Sequence, residues 1–196
     1  MFVTCQDGYM SFVFVSGNAA LDFIGTLKWR RSDLEELLNS PHDLEVWAAE
    51  AGIITTPLAV SDDDFAQLLG LREALYRMVT TYMAGSALPD PDVRIVNKKL
   101  EGRTPHLRLK GADLIRSGDA TSLATSIATA AVELLTGDEK SKLKECGREN
   151  CTRIFIDRSR SGTRTWCGME ECGNRIKAAN YRSRRKAKSE QLAAVS

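Results

Sequence analysis

The chain has 196 residues, 43% hydrophobic and 27% charged, with a net charge of +1 at pH 7. That length holds one ordinary domain, or one domain and a small appendage, and five prolines and fourteen glycines exclude a collagenous or low-complexity chain. The near-neutral total conceals a division: residues 141–196 carry 14 Lys and Arg against 6 Asp and Glu, a net of +8, whereas residues 1–140 carry 13 against 20, a net of −7.

The amino terminus, MFVTCQDGYMSFVFVSGNAALDF, lacks the basic region of an export signal, which predicts a cytoplasmic protein. The longest uncharged runs, Gly8 to Leu21 and Ala120 to Val132, have 14 and 13 residues. A membrane span needs about 20 mostly apolar ones. Residues 2–5 and 11–15 are β-prone. Asn18 to Leu27 is expected to be a helix, with Ala20, Phe23, Ile24 and Leu27 on one face. Ser40-Pro41 is expected to open a turn, and Leu44, Trp47 and Ala48 to begin an amphipathic helix that ends near Gly52. SDDDFAQLLGLREALYRMVTTYMAG reads as a long helix, capped by Ser61 and Asp62, with a stripe from Leu68 to Tyr82. Residues 92–101 are expected to be helical, PHLRLKGADLIRS to be a hairpin, and Asp119 to Thr136 a further helix; Gly137-Asp138 marks a boundary.

His42 and His106 stand far apart without partner motifs, and no phosphate-binding glycine loop or nucleophile motif is present. The expectation is therefore that the chain is not an enzyme. Phe23, Trp29, Trp47 and Tyr82 are read as core rather than as a ligand cage.

Cys146, Cys151, Cys167 and Cys172 read C-x4-C-x15-C-x4-C. Disulfides are not expected without an export signal, and a redox pair would want two intervening residues. One structural Zn2+ held by four thiolates is the favoured reading, with buried free thiols as the alternative. Cys5, remote from the others, is not expected to be a ligand. Gly147, Gly168 and Gly173 are expected to take positive φ and aim N–H groups at sulfur, and Arg148, Arg153 and Arg175 to offset the −2 of a zinc tetrathiolate. Ile154-Phe155-Ile156 is expected to begin a hairpin between the two cysteine pairs, with Trp166 covering the metal. The segment after Cys172 is helix-forming, with Arg175, Arg182 and Lys186 on one row, Lys177, Arg184 and Lys188 on the next, and Ile176, Ala179 and Leu192 as a thin apolar contact. So basic a surface predicts DNA as partner. A solvated basic helix is the plainer alternative.

Cys172-Gly173-Asn174-Arg175, with Phe155, Asp157, Ser159, Arg164, Trp166-Cys167 and Met169, resembles the CGNR zinc finger of bacterial regulators. The expected hairpin Asn is replaced by Ser161 or Gly162. The preceding stretches ALDFIGTLKWR, LLNSPHDLEVWAAEAGI and LREALYRMV resemble the ABATE domain that accompanies such fingers, except that Gly25 stands where an Asn is more usual. The resemblance implies an α+β, mostly α chain: a helical domain over 1–138, sensing a small-molecule effector or forming a homodimer, and a treble-clef or ribbon-like finger over 139–196 ending in a basic helix. It implies a transcription regulator. Asn174, Arg175, Lys177, Arg182, Arg184, Arg185, Lys186 and Lys188 are the candidate nucleic-acid contacts, and Asp22, Phe23, Thr26 and Trp29 the candidate effector contacts. A zinc-stabilised module docking on RNA or on a protein is the alternative. Loss of Cys151 is expected to unfold the finger and spare the amino-terminal domain.

Overall fold

Side-chain caps start the helices where the sequence places them. In the computed structural model, which describes residues 12–178, 181 and 182, Asn18 accepts from the Ala20 and Leu21 amides to open α1 (Ala19–Ile24). The exception is α2 (Pro41–Glu50), which Ser40 caps and which begins at the expected turn, ahead of Leu44, because proline suits the first helical position. A reciprocal box of Ser61 and Asp64 opens α3 (Asp62–Met83), and one of Asp119 and Ser122 opens α5 (Ala120–Thr136). Between the latter two lie α4 (Asp90–Leu100) and the antiparallel hairpin β3 (His106–Lys110) and β4 (Asp113–Ser117), turned by Gly111 at φ +62°.

The first helix is shorter than its periodicity predicts. The Thr26 amide and hydroxyl both donate to the Phe23 carbonyl (3.1 and 2.7 Å), which ends the helix. Leu27 instead enters β1 (Leu27–Lys28), paired antiparallel with β2 (Glu35–Glu36). The intervening loop is pinned to α3 by ion pairs. Arg72, 3% exposed, forks onto Glu36 at 2.7 and 2.6 Å and reaches the Thr26 hydroxyl. Arg30 grips Glu73 and lies 4.0 Å over the Tyr76 ring.

Helix α5 packs against α1, α3 and α4, burying Leu123, Ile127 and Ala131 against Leu21, Ile24, Leu71 and Leu75. Phe23 and Trp47 meet at 4.9 Å between ring centroids, as core side chains. After α5 a 3-10 turn (Asp138–Lys142) leads into β5 (Leu143–Glu145), which pairs antiparallel with β6 (Ile154–Ile156). The expected hairpin between the cysteine pairs is thus displaced. The chain folds back around the first pair, and 158–163, poor in β-formers, remains a loop. Alternation along β6 has a consequence: Ile154 and Ile156 belong to the main core, whereas Phe155 packs against the four cysteines.

The architecture is α+β and mostly helical, as expected. Among the described residues no helix is long and apolar enough to cross a membrane. The β-prone residues 2–5, with Cys5, lie outside the described residues, as do Ala179 and Leu192.

Candidate metal centre

The turn of the β5–β6 hairpin delivers Cys146 and Cys151; a π-helical turn, Met169–Gly173, delivers Cys172 just after Cys167. All four are buried and their sulfur atoms lie within 4.8 Å of one another. Four thiolates at about 2.3 Å from one ion, set tetrahedrally, would stand about 3.8 Å apart. Cys151 and Cys167 are 3.9 Å apart and Cys167 and Cys172 are 3.6 Å apart. The residues fit one Zn2+ with no position left for water, which is a structural site.

Such a cluster needs a cation. Without one, the Cys146 thiolate draws hydrogen bonds from Cys151 and Cys167 and is held far below the ordinary thiol range. Giving those hydrogen bonds, and burial behind them, pushes Cys151 up to about 12 and Cys167 further still. A divalent ion takes the place of the shared protons and permits four thiolates together.

The glycines work otherwise than expected. None of Gly147, Gly168 and Gly173 has positive φ. The Gly147 amide donates to the Thr165 carbonyl (2.9 Å) and that of Gly173 to the Gly168 carbonyl (3.0 Å), so neither serves sulfur. It is the Cys167 amide that donates to Cys146 Sγ, at 3.4 Å. Two of the glycines instead make room for Trp166. A Cβ on Gly147 would stand 3.2 Å from its ring and 2.8 Å from Thr165, and one on Gly173 would stand 2.7 Å from Met169 Sδ and 3.2 Å from the indole. Trp166 therefore covers the cysteines from between the two glycines.

The loop joining the pairs is organised by Asp157. Its carboxylate accepts from Lys144 Nζ (2.6 Å), the Ser159 hydroxyl (2.6 Å) and amide, and the Arg164 amide. The Lys144 and Ser159 bonds hold it well below the usual carboxylate range. Arg164 lies 4.4 Å over the Phe155 ring and donates to the carbonyls of Trp166, Cys167 and Val15. Gly162 takes φ +62° in this loop, a conformation that Asn also tolerates, so the replacement keeps the turn.

Of the three arginines expected to offset the thiolates, Arg148 does so directly. Its Nη1 is 3.9 Å from Cys172 Sγ, and its guanidinium lies 4.6 Å over the Trp29 ring. Arg153 turns its Nη1 to the Val13 carbonyl at 2.7 Å. Arg175 is exposed and lines a cleft of about 200 Å³ between the loop from Gly25 to Glu35 and the cysteine turns.

Of the candidate effector residues, only Trp29 reaches that cleft. Phe23 and Thr26 are 0% and 2% exposed and face the core, because the Thr26 hydroxyl is committed to Phe23 and Arg72. Asp22 accepts from the Ser16 amide at 3.0 Å, and burial pushes its carboxyl up. Glu35, Thr152 and Glu171 also line the cleft and carry no local motif that would announce them.

Helical backbone continues over 174–178, directly from the π-helical turn. Asn174, Arg175, Lys177 and Arg182 are exposed, and Ile176 is half-buried. Arg184, Arg185, Lys186 and Lys188 lie outside the described residues.

A family model called ABATE, described as "putative stress-induced transcription regulator", matches residues 17–138. A second, the CGNR zinc finger, matches residues 142–185. No curated protein matches the chain.

Proposed function

This chain belongs to the ABATE family and carries a CGNR zinc finger, and from that premise we propose that it is a transcription regulator that binds DNA rather than an enzyme. One observation carries the reading. The turn that presents Cys172 runs directly into the helical backbone of 174–178, which carries the exposed Asn174, Arg175 and Lys177, and Arg182 is exposed as well. Zinc supplies apparent binding energy of about 10–16 kcal/mol to small fingers, enough to fix the direction in which such a helix leaves the fold. Cationic side chains on that helix neutralise phosphates, which supplies affinity, while Asn and Arg are suited to base edges in the major groove. The helical body is the effector-sensing part of the same reading.

Selection of bound fragments from random DNA, with and without zinc, tests it. Enrichment of a sequence that depends on metal is the expected result; metal-dependent binding without preference, or preference for RNA, would favour an interaction module. Affinity should fall with salt at a log–log slope of roughly −0.9 per phosphate contacted. Neutralising Arg175, Lys177 and Arg182 together should flatten that slope by about two to three units while one zinc per chain is retained. An unchanged slope with metal in place would remove these residues from the interface.

A further inference from the structure

The cleft beside the cysteines is built from both halves of the chain. Lys28, Trp29 and Glu35 form one wall, and Arg148, Arg153 and Arg175 approach from the finger. Trp29 has φ +54°, and it is the one non-glycine residue with positive φ among the described residues. A bulky side chain held there is strained, and such strain gathers at ligand sites. Ion pairs from Glu36 to Arg72 and from Arg30 to Glu73, both on α3, keep the loop in place at this cost.

Hydrogen-bonding capacity in the cleft is one-sided. Apart from Glu171 its acceptors are already engaged: Glu35 receives Lys28 Nζ at 3.1 Å and the Trp29 indole N–H at 3.0 Å, and the Thr152 hydroxyl receives the Arg30 amide at 3.2 Å. Its guanidiniums keep spare donors. Among the described residues Arg148, Arg153 and Arg175 form no salt bridge with a carboxylate; Arg148 gives Nη1 to Cys172 Sγ at 3.9 Å and stacks on Trp29, and Arg153 has Asp22 as its nearest acidic influence. Arg153, 7% exposed, gives one Nη to a carbonyl. Three guanidiniums balance the formal −2 of a zinc tetrathiolate and the uncommitted Glu171 carboxylate, so the cleft offers an anion unmatched N–H donors rather than an excess of charge.

We propose that this cleft binds a small organic anion, a carboxylate or phosphate monoester, through Arg148, Arg153 and Arg175 against the Trp29 wall. The inference deepens the effector part of the proposed function and needs no DNA for its test. Bound there, the anion bridges the loop of the body and both cysteine turns, since the guanidiniums sit on the finger and the wall on the body. A neutral molecule would leave those donors unmatched.

The test is calorimetric titration of the full zinc-loaded chain with benzoate and with phenyl phosphate, and with benzamide as the neutral counterpart. One anion should bind with a stoichiometry of one, and benzamide should not. Arg153→Gln should weaken that binding roughly 10- to 100-fold, the range of a charge-assisted bond, with zinc content unchanged. Should that variant fail to fold, Glu171→Gln gives the opposite sign, tightening binding roughly two- to fivefold by removing a repelling charge. Arg160→Gln, on the exposed loop outside the cleft, should bind as the wild type does. The proposal is overturned if benzamide binds as well as the anions, if neither anion binds, if Glu171→Gln weakens binding, or if Arg160→Gln loses as much as Arg153→Gln. Because no nucleic acid is present, each of these outcomes leaves the DNA reading standing, and failure of DNA binding leaves the cleft untouched.

Discussion

Asp157 shows how a single carboxylate holds a loop that has no regular structure. With a folded value well below the ordinary one, its stabilisation is complete above the unfolded value of about 3.9 and is lost only as pH falls through the depressed folded value. Asp157→Asn should therefore lower the thermal midpoint at pH 7, because Lys144 and the Ser159 and Arg164 amides lose a charged acceptor. The gap between variant and wild type should stay constant from pH 8 to pH 5. Acid also protonates thiolates and releases metal, so the comparison is of the gap and not of either curve alone. A gap that closes between pH 8 and pH 6, followed by scanning calorimetry, would mean that Asp157 titrates near neutrality and would sink the assignment.

At the scale of the element, β6 has three residues and two tasks. Ile156→Ala should destabilise the helical body by about 2–5 kcal/mol, the cost of a large-to-small change in a packed core, while zinc stays bound. Phe155→Ala removes the ring that closes the cysteine cluster from beneath Arg164, so its effect should appear first as faster zinc loss to a chelator. Equal effects of both variants on both readouts would show that the faces of the strand do not divide the work. Much of this was legible in sequence: Asn18, Ser61 and Asp119 announce helix starts by local chemistry, and the cysteine spacing announces the metal. The pairing of β6 was not, because a three-residue strand can turn to either neighbour and only the core position of its isoleucines decides. Nor was the cleft, whose walls come from residues 25–35 and 148–175, with no pattern in either stretch. The glycine roles were also hidden, since close approach to Trp166 depends on the folded position of a side chain nineteen residues from Gly147.

For the whole molecule, the bonds between body and finger decide whether metal matters beyond the finger. Arg153 and Arg164 donate to the Val13 and Val15 carbonyls, the Ile156 amide donates to Ser16, the Arg30 amide donates to Thr152, and Arg31 pairs with Glu145. The last two contacts span both family matches, the others tie the finger to residues 13–16 just ahead of the first match, and Ile154 and Ile156 place part of the finger inside the body's core. Removing zinc should thus loosen β6 and uncover that core, against the sequence expectation that the body would be spared. The five α-helices from Ala19 to Thr136 supply a far-UV circular dichroism signal that reports mainly on the body. Its melting midpoint should fall on chelation, and by a similar amount in Cys151→Ser, with a single transition in each case. For a chain of this size each kcal/mol is worth roughly 2–4 °C, so loss of one buried isoleucine's packing corresponds to a fall of at least several degrees. A helical transition that stays in place while zinc leaves would mean that the finger melts alone. In that event the shared strand would carry no coupling, and a ligand in the cleft could act on the finger only by direct contact.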